Sequence, residues 1–315
     1  HTRDRTPAGR VAAGPQPAGQ ATLTLTIKEV TGAAISGASV KAVGSPTGSM
    51  SDATGVAQLM IGTQVRQTVV VSKPGYADKL LVFTLASTLT RADQTVFLVP
   101  RAAPQMIDAA AGGSLTGGDG LKLQLPANGL VNEAGAKVSG MVAVALTPLD
   151  VVSNSPAFPG RFEGTRTDGA QGLILSYGTA EFVLTQGTQR LQLAPGATAT
   201  VELPLYADRE LTGAPLTPGA TVPLWSLDER TGGWVEEGQG TVVASASAPT
   251  GLAYRATVSH FSWWNSDVFG QKRADPKPKC CIDGDADGKC DANGNPEYCW
   301  LRGTTNCSSA FGCRA

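Results

Sequence analysis

The chain has 315 residues, which is long for one domain and predicts two or three. Its formal net charge of −1 provides no electrostatic attraction for nucleic acid or for an anionic membrane. Gly (38) and Pro (20) are abundant, a composition that favours short strands joined by turns, and no apolar run reaches the roughly 18 residues of a membrane-spanning helix. We therefore predict an all-β protein.

Residues 1–20 are rich in Pro, Gly, Ala and Arg and have no apolar period, which is typical of an extended arm. We expect this arm to lie against a neighbouring subunit, identical or different, by strand addition or simple packing. The alternative is an arm packed on its own chain. Because the sequence begins with His1 and not Met, we expect that a leader was removed, although a tag remnant gives the same start.

Residues 21–100 carry the pattern of a small β-sandwich. Leu23, Leu25 and Ile27 alternate with polar residues, as in a strand with one buried face. Two turns are predicted downstream. Residues 52–55 fit a β-turn with Asp first and Gly last, and Pro74-Gly75 fits the central pair of a type II turn.

This segment resembles the carboxypeptidase regulatory-like domain. The matching pieces are Gly37-Ala38-x-Val40, Asp52-x-x-Gly55 and Lys73-Pro74-Gly75-Tyr76, in the order and spacing of that family. The resemblance implies a β-sandwich that serves as a rigid accessory or spacer and has no catalytic residues.

Residues 101–269 predict a second sandwich, because apolar or alternating runs are separated by turn residues at short intervals. No amphipathic segment longer than about ten residues interrupts them, so we expect few helices. In chain order these runs are Met141–Leu146, Leu173–Leu175, Ala180–Leu184, Thr200–Leu205, Val222–Leu227, Thr241–Ala244 and Tyr254–Val258.

The second region resembles the ZU5-type β-sandwich of ankyrins, netrin receptors and the death-domain protein PIDD, and related modules of bacterial surface proteins. The resemblance rests on three pieces: Gly112-Gly113 followed by Leu121–Leu130, Pro223–Leu227 leading to Gly233–Gly238, and Val258–Ser262. ZU5 domains of the PIDD type are cut at the tripeptide that stands here as His260-Phe261-Ser262.

The resemblance implies self-cleavage between Phe261 and Ser262. If the tripeptide lies in a strand, His260 and Ser262 point the same way. His260 would then deprotonate Ser262 or polarise the adjoining peptide group, and the hydroxyl would attack the Phe261 carbonyl in an N-to-O acyl shift. The alternative is a final core strand with Trp263 on one face and Trp264 on the other. Cleavage also requires a strained peptide bond, which a sequence does not reveal.

Residues 270–279 form a short basic, Pro-bearing linker to a cysteine-rich tail, residues 280–315. An even number of cysteines in a short segment indicates disulfides formed in an oxidising compartment. Zinc is the alternative, but the Cys spacing is poor for it and the chain has only two histidines. The six are Cys280, Cys281, Cys290, Cys299, Cys307 and Cys313.

The tail also carries a candidate calcium loop. Asp283, Asp285 and Asp287 alternate with small residues, Asp291 stands at the ninth position, and Lys289 offers its backbone carbonyl at the seventh. The segment resembles thrombospondin type 3 and EF-hand-like loops, which implies Ca²⁺ as a ligand. It departs from the EF-hand at position twelve, which is Gly294, so Asn293, Asn295 or Glu297 would have to substitute. A solvated acidic turn is the alternative.

Motifs of common enzymes are missing: there is no nucleophile elbow, zincin helix, Walker loop or dinucleotide fingerprint. Trp225, Trp234, Trp263 and Trp264 are candidates for a glycan platform, but alternating strands place such residues in the core. The sequon at Asn306 has a Cys in its middle and is a weak signal.

These observations predict two consecutive β-sandwiches and a disulfide-rich C-terminal segment in a secreted or cell-surface protein. The function they favour is non-enzymatic: a structural or adhesion protein of the extracellular space, with a subunit of a surface filament or matrix as one form of it. A self-cleaving surface protein and a glycan- or peptide-binding module are the alternatives. No nucleic-acid partner and no transmembrane segment are expected.

Overall fold

A computed structural model describes residues 19–210 and 213–270 of the chain. Within these ranges the protein is built from strands, and its only helical elements are two 3₁₀ turns at Gly118–Gly120 and Ser155–Ala157. The prediction of an all-β fold is confirmed. None of the helical segments in the described part of the chain is long and apolar enough to cross a membrane.

The first region has two antiparallel-rich sheets packed face to face. One sheet has the order β4-β1-β7, with β1 antiparallel to β4 and parallel to β7, and the other has the order β3-β2-β5-β6. Its strands are β1 (Gln20–Glu29), β2 (Ser39–Ala42), β3 (Gly48–Met50), β4 (Val56–Gly62), β5 (Arg66–Ser72), β6 (Lys79–Thr84) and β7 (Arg91–Leu98).

Sequence alternation and turn chemistry account for this region. Leu23, Leu25 and Ile27 are fully buried in β1 between less buried polar neighbours, as predicted. The type II turn is also confirmed: Gly75 has a φ of +87°, and the Tyr76 amide donates to the Lys73 carbonyl at 2.9 Å. At the other predicted turn, the Gly55 amide donates to the Asp52 carbonyl at 3.0 Å.

The second region forms one continuous sheet of thirteen strands. Its main path is β11-β15-β14-β20-β17-β18-β19-β16-β10-β9, with β8, β12 and β13 paired beside it. The strands are β8 (Gln105–Asp108), β9 (Gly113–Thr116), β10 (Lys122–Leu125), β11 (Leu130–Asn132), β12 (Met141–Leu149), β13 (Glu163–Thr165), β14 (Gln171–Gln186), β15 (Gln189–Leu193), β16 (Ala199–Pro204), β17 (Thr221–Asp228), β18 (Gly233–Ala244), β19 (Leu252–Val258) and β20 (Trp263–Gly270).

One face of this long sheet curls around a large buried core. Leu115 of β9 and Leu130 of β11, from the two ends of the strand path, belong to the same buried cluster as Trp264 of β20. Opposite ends of the sheet therefore face each other across the apolar interior, which gives the layered packing of a sandwich. The separate runs Leu173–Leu175 and Ala180–Leu184 are parts of one strand, β14, with a register shift between Ser176 and Gly178.

A third buried cluster joins the two regions, and we call it the junction core. Its members from the first region are Ala77 and Leu80. Those from the second region are Leu149, Val151, Ala157, Phe158, Ile174, Trp225, Leu227, Trp234 and Trp263. Burial of large aromatic side chains is strongly favourable, so the two regions are held together by hydrophobic packing and not only by their connecting segment.

Polar groups reinforce the junction core. Lys79 of β6 is buried and donates from Nζ to the carbonyls of Pro156, at 2.9 Å, and Phe158. Arg101, between β7 and β8, makes a bidentate pair with Glu181 of β14, both contacts being 2.8 Å. Burial raises the pKa of Glu181, against the opposing effect of Arg101. These bonds satisfy charges that would otherwise be costly to bury.

Candidate functional site

The tripeptide His260-Phe261-Ser262 lies between β19, which ends at Val258, and β20, which begins at Trp263. The expectation that it forms part of a strand is wrong, so strand alternation does not decide where its side chains point. Pairing with the sheet stops after Val258 and resumes at Ser262, whose carbonyl accepts a hydrogen bond from the Phe182 amide of β14 at 3.2 Å.

Phe261 is buried, and its peptide groups are held by one side chain of β15. The Phe261 amide donates to Oε1 of Gln192 at 2.7 Å. In return, Nε2 of Gln192 donates to the Phe261 carbonyl oxygen at 2.8 Å. The carbonyl that self-cleavage would attack therefore already accepts a hydrogen bond from a side-chain amide.

The Ser262 hydroxyl is buried and donates to the Leu227 carbonyl of β17 at 3.1 Å. Among residues 19–210 and 213–270, no hydrogen bond joins it to His260. Ser262, the predicted nucleophile, adjoins the Phe261 peptide group because the two residues are consecutive. It is not hydrogen-bonded to His260, the predicted base. An attack on Phe261 requires the hydroxyl to leave Leu227.

His260 pairs instead with a carboxylate of β18. Its Nε2 lies 2.8 Å from Oε1 of Glu237, and its ring contacts Trp264 with centroids 4.7 Å apart. Ser226 also donates to Glu237. Partial burial tends to raise the pKa of Glu237, but the hydrogen bonds from His260 and Ser226 outweigh it and the pKa lies below its usual value. Glu237 is therefore an ionised partner that fixes the imidazole.

The tripeptide lines a cavity of about 530 Å³. The polar residues that share its wall are Glu133, Arg190, Gln192, Ser226, Asp228, Glu229 and Glu237. Four of its lining residues, Glu133, Asp228, Glu229 and Glu237, are acidic, and both residues of the Phe261-Ser262 bond line the same cavity. Such an arrangement can position a peptide group and admit the water needed to hydrolyse an ester.

The backbone at this site lacks one signature of strain. In the described part of the chain there are no cis peptide bonds, and the non-glycine residues with positive φ are Gln64, Asp119 and Asn128, all distant in sequence from the tripeptide. Neither a cis peptide bond nor a positive φ angle therefore supplies the backbone strain that self-cleavage requires at Phe261-Ser262.

The tryptophans form core, as the strand pattern predicts. Trp225, Trp234, Trp263 and Trp264 are at most 3% exposed. Their buried faces are not available to stack on sugars, so the interpretation of these four as a glycan platform is wrong.

The other predicted site residues lie outside the described residues. These are the calcium ligands Asp283, Asp285, Asp287, Lys289 and Asp291, the cysteines Cys280, Cys281, Cys290, Cys299, Cys307 and Cys313, and the arm of residues 1–18. In the part that is described, no group of three or more His, Cys, Asp or Glu side chains is arranged to hold a metal ion.

Several residues that shape the structure were not predicted from sequence. Gln192, Glu237 and Lys79 stand at positions where no local sequence pattern distinguishes them from other polar residues. A signal was available for Glu181, because it is an acidic residue inside the apolar run Ala180–Leu184. Burial raises the pKa of Asp267 well above its usual value.

A scan against protein-family models found no match, and no curated protein matched either. Similar solved structures include BcpA, the major pilin subunit of Bacillus cereus, at 11% identity over 76% of this chain and 85% of that one, with a TM-score of 0.22. A BcpA variant has 11% identity over 80% of this chain and 86% of that one, with a TM-score of 0.23. A membrane-associated protein from Bacteroides fragilis has 9% identity over 79% of this chain and 98% of that one, with a TM-score of 0.21. At these TM-scores the similarities indicate neither a shared fold nor a shared function.

Proposed function

We propose that this chain is a non-enzymatic structural or adhesion protein of the cell surface or extracellular matrix, in which the two sandwiches act as one stiff spacer. The observation that carries the proposal is the junction core. A flexible two-domain binder needs few contacts between its domains, whereas here Leu80 packs among tryptophans, and Lys79 and Asp78 of the first region bond to groups of the second. Such a unit resists bending and transmits load.

The proposal includes assembly through the N-terminal arm. A deletion of residues 1–18 leaves β1 intact, because this strand begins at Gln20. Light scattering over a concentration series should show association of the full chain and a monomer for the deletion variant, with equal melting temperatures. A full chain that stays monomeric at every concentration, in the presence and absence of Ca²⁺, contradicts a role as a filament subunit.

We also propose that the tail binds Ca²⁺ through Asp283, Asp285, Asp287, the Lys289 carbonyl and Asp291. The support is the sequence pattern, in which closely spaced carboxylates repel one another unless a cation neutralises them. Calorimetry on the full chain should show Ca²⁺ binding that Asp285→Ala weakens. The absence of heat at millimolar Ca²⁺ contradicts the site.

Self-cleavage between Phe261 and Ser262 is the second candidate function. The observation that favours it is the hydrogen bond from Gln192 Nε2 to the Phe261 carbonyl oxygen, which polarises the carbonyl that Ser262 would attack. A denaturing gel and intact-mass spectrum of aged protein should show fragments that end at Phe261 and begin at Ser262. Ser262→Ala should remain whole. A single intact band from aged wild-type protein contradicts this function and leaves the structural role standing.

A further inference from the structure

The Gln192 side chain contacts both hydrogen-bonding groups of Phe261. It accepts from the Phe261 amide at 2.7 Å and donates to the Phe261 carbonyl oxygen at 2.8 Å. We propose that Gln192 is a catalytic residue of self-cleavage: its amide stabilises the negative charge that forms on the Phe261 carbonyl oxygen when Ser262 attacks. This inference rests on the proposed self-cleavage.

Two features fix the Gln192 amide in the orientation that this role requires. Its backbone is part of β15, which pairs with β14 on one side and, at Gln192 itself, with Val131 of β11 on the other. The amide group has one acceptor end and one donor end. Since Oε1 receives the Phe261 amide hydrogen, Nε2 must face the Phe261 oxygen, and the opposite rotamer of the amide would lose both bonds.

The reaction has balanced steps. The Ser262 Oγ bonds to the Phe261 carbonyl carbon, and the electron pair of the C=O double bond moves to the oxygen that Gln192 contacts. Collapse of this intermediate breaks the carbon–nitrogen bond, and the hydroxyl proton ends on the departing Ser262 nitrogen, which leaves an ester. Water from the cavity then hydrolyses the ester to a Phe261 carboxylate and restores the Ser262 hydroxyl.

The size of the effect follows from the nature of the contact. Loss of a single donor from an enclosed oxyanion site lowers a rate about 100- to 1,000-fold. Gln192 is exposed, so water partly replaces the lost donor, and we expect a smaller effect of at least about tenfold. Exposure also means that changes at this position are compatible with folding.

Gln192→Glu tests the role most directly, because it keeps an acceptor for the Phe261 amide and removes the donor to the carbonyl. Gln192→Met is a second variant that removes both bonds without adding charge. Gln189→Glu is the matched control, being an exposed glutamine of the same strand. Each full-length protein is incubated, sampled over days and analysed by intact mass, and melting temperatures are measured in parallel.

The expected result is cleavage in wild-type and Gln189→Glu proteins and a rate at least about tenfold lower in both Gln192 variants, each of which still shows a cooperative melting transition above the incubation temperature. Lowering the pH below the pKa of the new carboxyl should restore part of the rate in Gln192→Glu, since a protonated acid donates again, and should not do so in Gln192→Met. Equal cleavage rates in wild-type protein and Gln192→Met overturn the catalytic role of Gln192 and leave the self-cleavage proposal intact. An uncut wild-type chain overturns self-cleavage and this role together.

Discussion

The core of the first sandwich and the junction core differ in what they are made of. The first is almost wholly aliphatic, and among the described residues Phe83, at 7% exposure, is the one aromatic residue in its buried cluster. The junction core is built around Trp225, Trp234, Trp263 and Phe158, and it has the buried amine of Lys79 beside it. Nearly all of its aromatic surface comes from the second region.

This difference indicates two kinds of stability. Aliphatic alternation suffices to close a small sandwich on itself, since any β-branched or leucine side chain of suitable volume fills the space. A junction between two sandwiches has to fix their relative position as well. Large rings and buried hydrogen bonds do that, because they fit in few arrangements.

The largest expected effect is that of truncating the junction core at Trp234, which is 1% exposed and contacts Phe158 with ring centroids 5.2 Å apart. Trp234→Ala should lower the free energy of unfolding by about 4 kcal/mol. It should also allow the first sandwich to unfold separately. Hydrogen exchange in chemical denaturant, followed at β1 and β19, measures both effects.

The matched control is Leu25→Ala, a fully buried change in the first core. It should destabilise the protein by about 3 kcal/mol without separating the two regions at the junction. If β1 and β19 still exchange together in Trp234→Ala, the junction core does not couple the sandwiches.

Arg101→Ala comes next. Removing this guanidinium leaves Glu181, whose side chain is 5% exposed, as a buried carboxylate without its bidentate partner. We expect a loss of about 3 kcal/mol at pH 7. The loss should shrink as the pH falls, because protonation neutralises Glu181. Urea unfolding at several pH values measures it.

The exposed pair Arg91–Asp93 provides the contrast, with side chains 64% and 57% exposed. Arg91→Ala should leave the free energy of unfolding unchanged within the error of the measurement, because solvent already screens this pair. Equal losses for the two arginine variants would show that the Arg101–Glu181 bond is not a buried one in solution.

The difference between the two cores also explains what could be predicted from sequence. The alternation of Leu23, Leu25 and Ile27 with threonine is a local pattern, so the first sandwich and its Pro74-Gly75 turn were predictable. The junction core draws Leu80 and Trp234 together across more than 150 positions, and no local pattern encodes such a contact. Gln192 was missed for the same reason, because its partner Phe261 lies in a distant loop.

Gly232 tests how closely the sandwiches approach each other. It lies in the turn between β17 and β18 with a φ of +67°, and a Cβ added there would lie 2.5 Å from Cγ2 of Val82 in the first region. Gly232→Ala should cost about 2 kcal/mol, from backbone strain and the clash together. Gly219→Ala, at a φ of +95° with open space around it, should cost about 1 kcal/mol. Equal melting temperatures of the two variants would contradict the close approach.

Among the changes to buried groups, the smallest expected effect is a change in pH dependence caused by Lys79. Burial lowers the pKa of this amine from 10.5 to about 7 in the folded protein. Between those values the unfolded chain binds one more proton than the folded one, so the free energy of unfolding rises with pH, and the cost of burying the charge is fully present below about pH 7. The slope from one such group is at most about 1.4 kcal/mol of unfolding free energy per pH unit.

Lys79→Met removes the titrating amine and leaves the carbonyls of Pro156 and Phe158 without this hydrogen-bond donor. Relative to this variant, the wild-type protein should gain about 1 kcal/mol in unfolding free energy from pH 7 to pH 8, measured by urea denaturation. A difference between the two proteins that stays constant across this range would mean that Lys79 remains charged in the folded state, held by its two carbonyl acceptors.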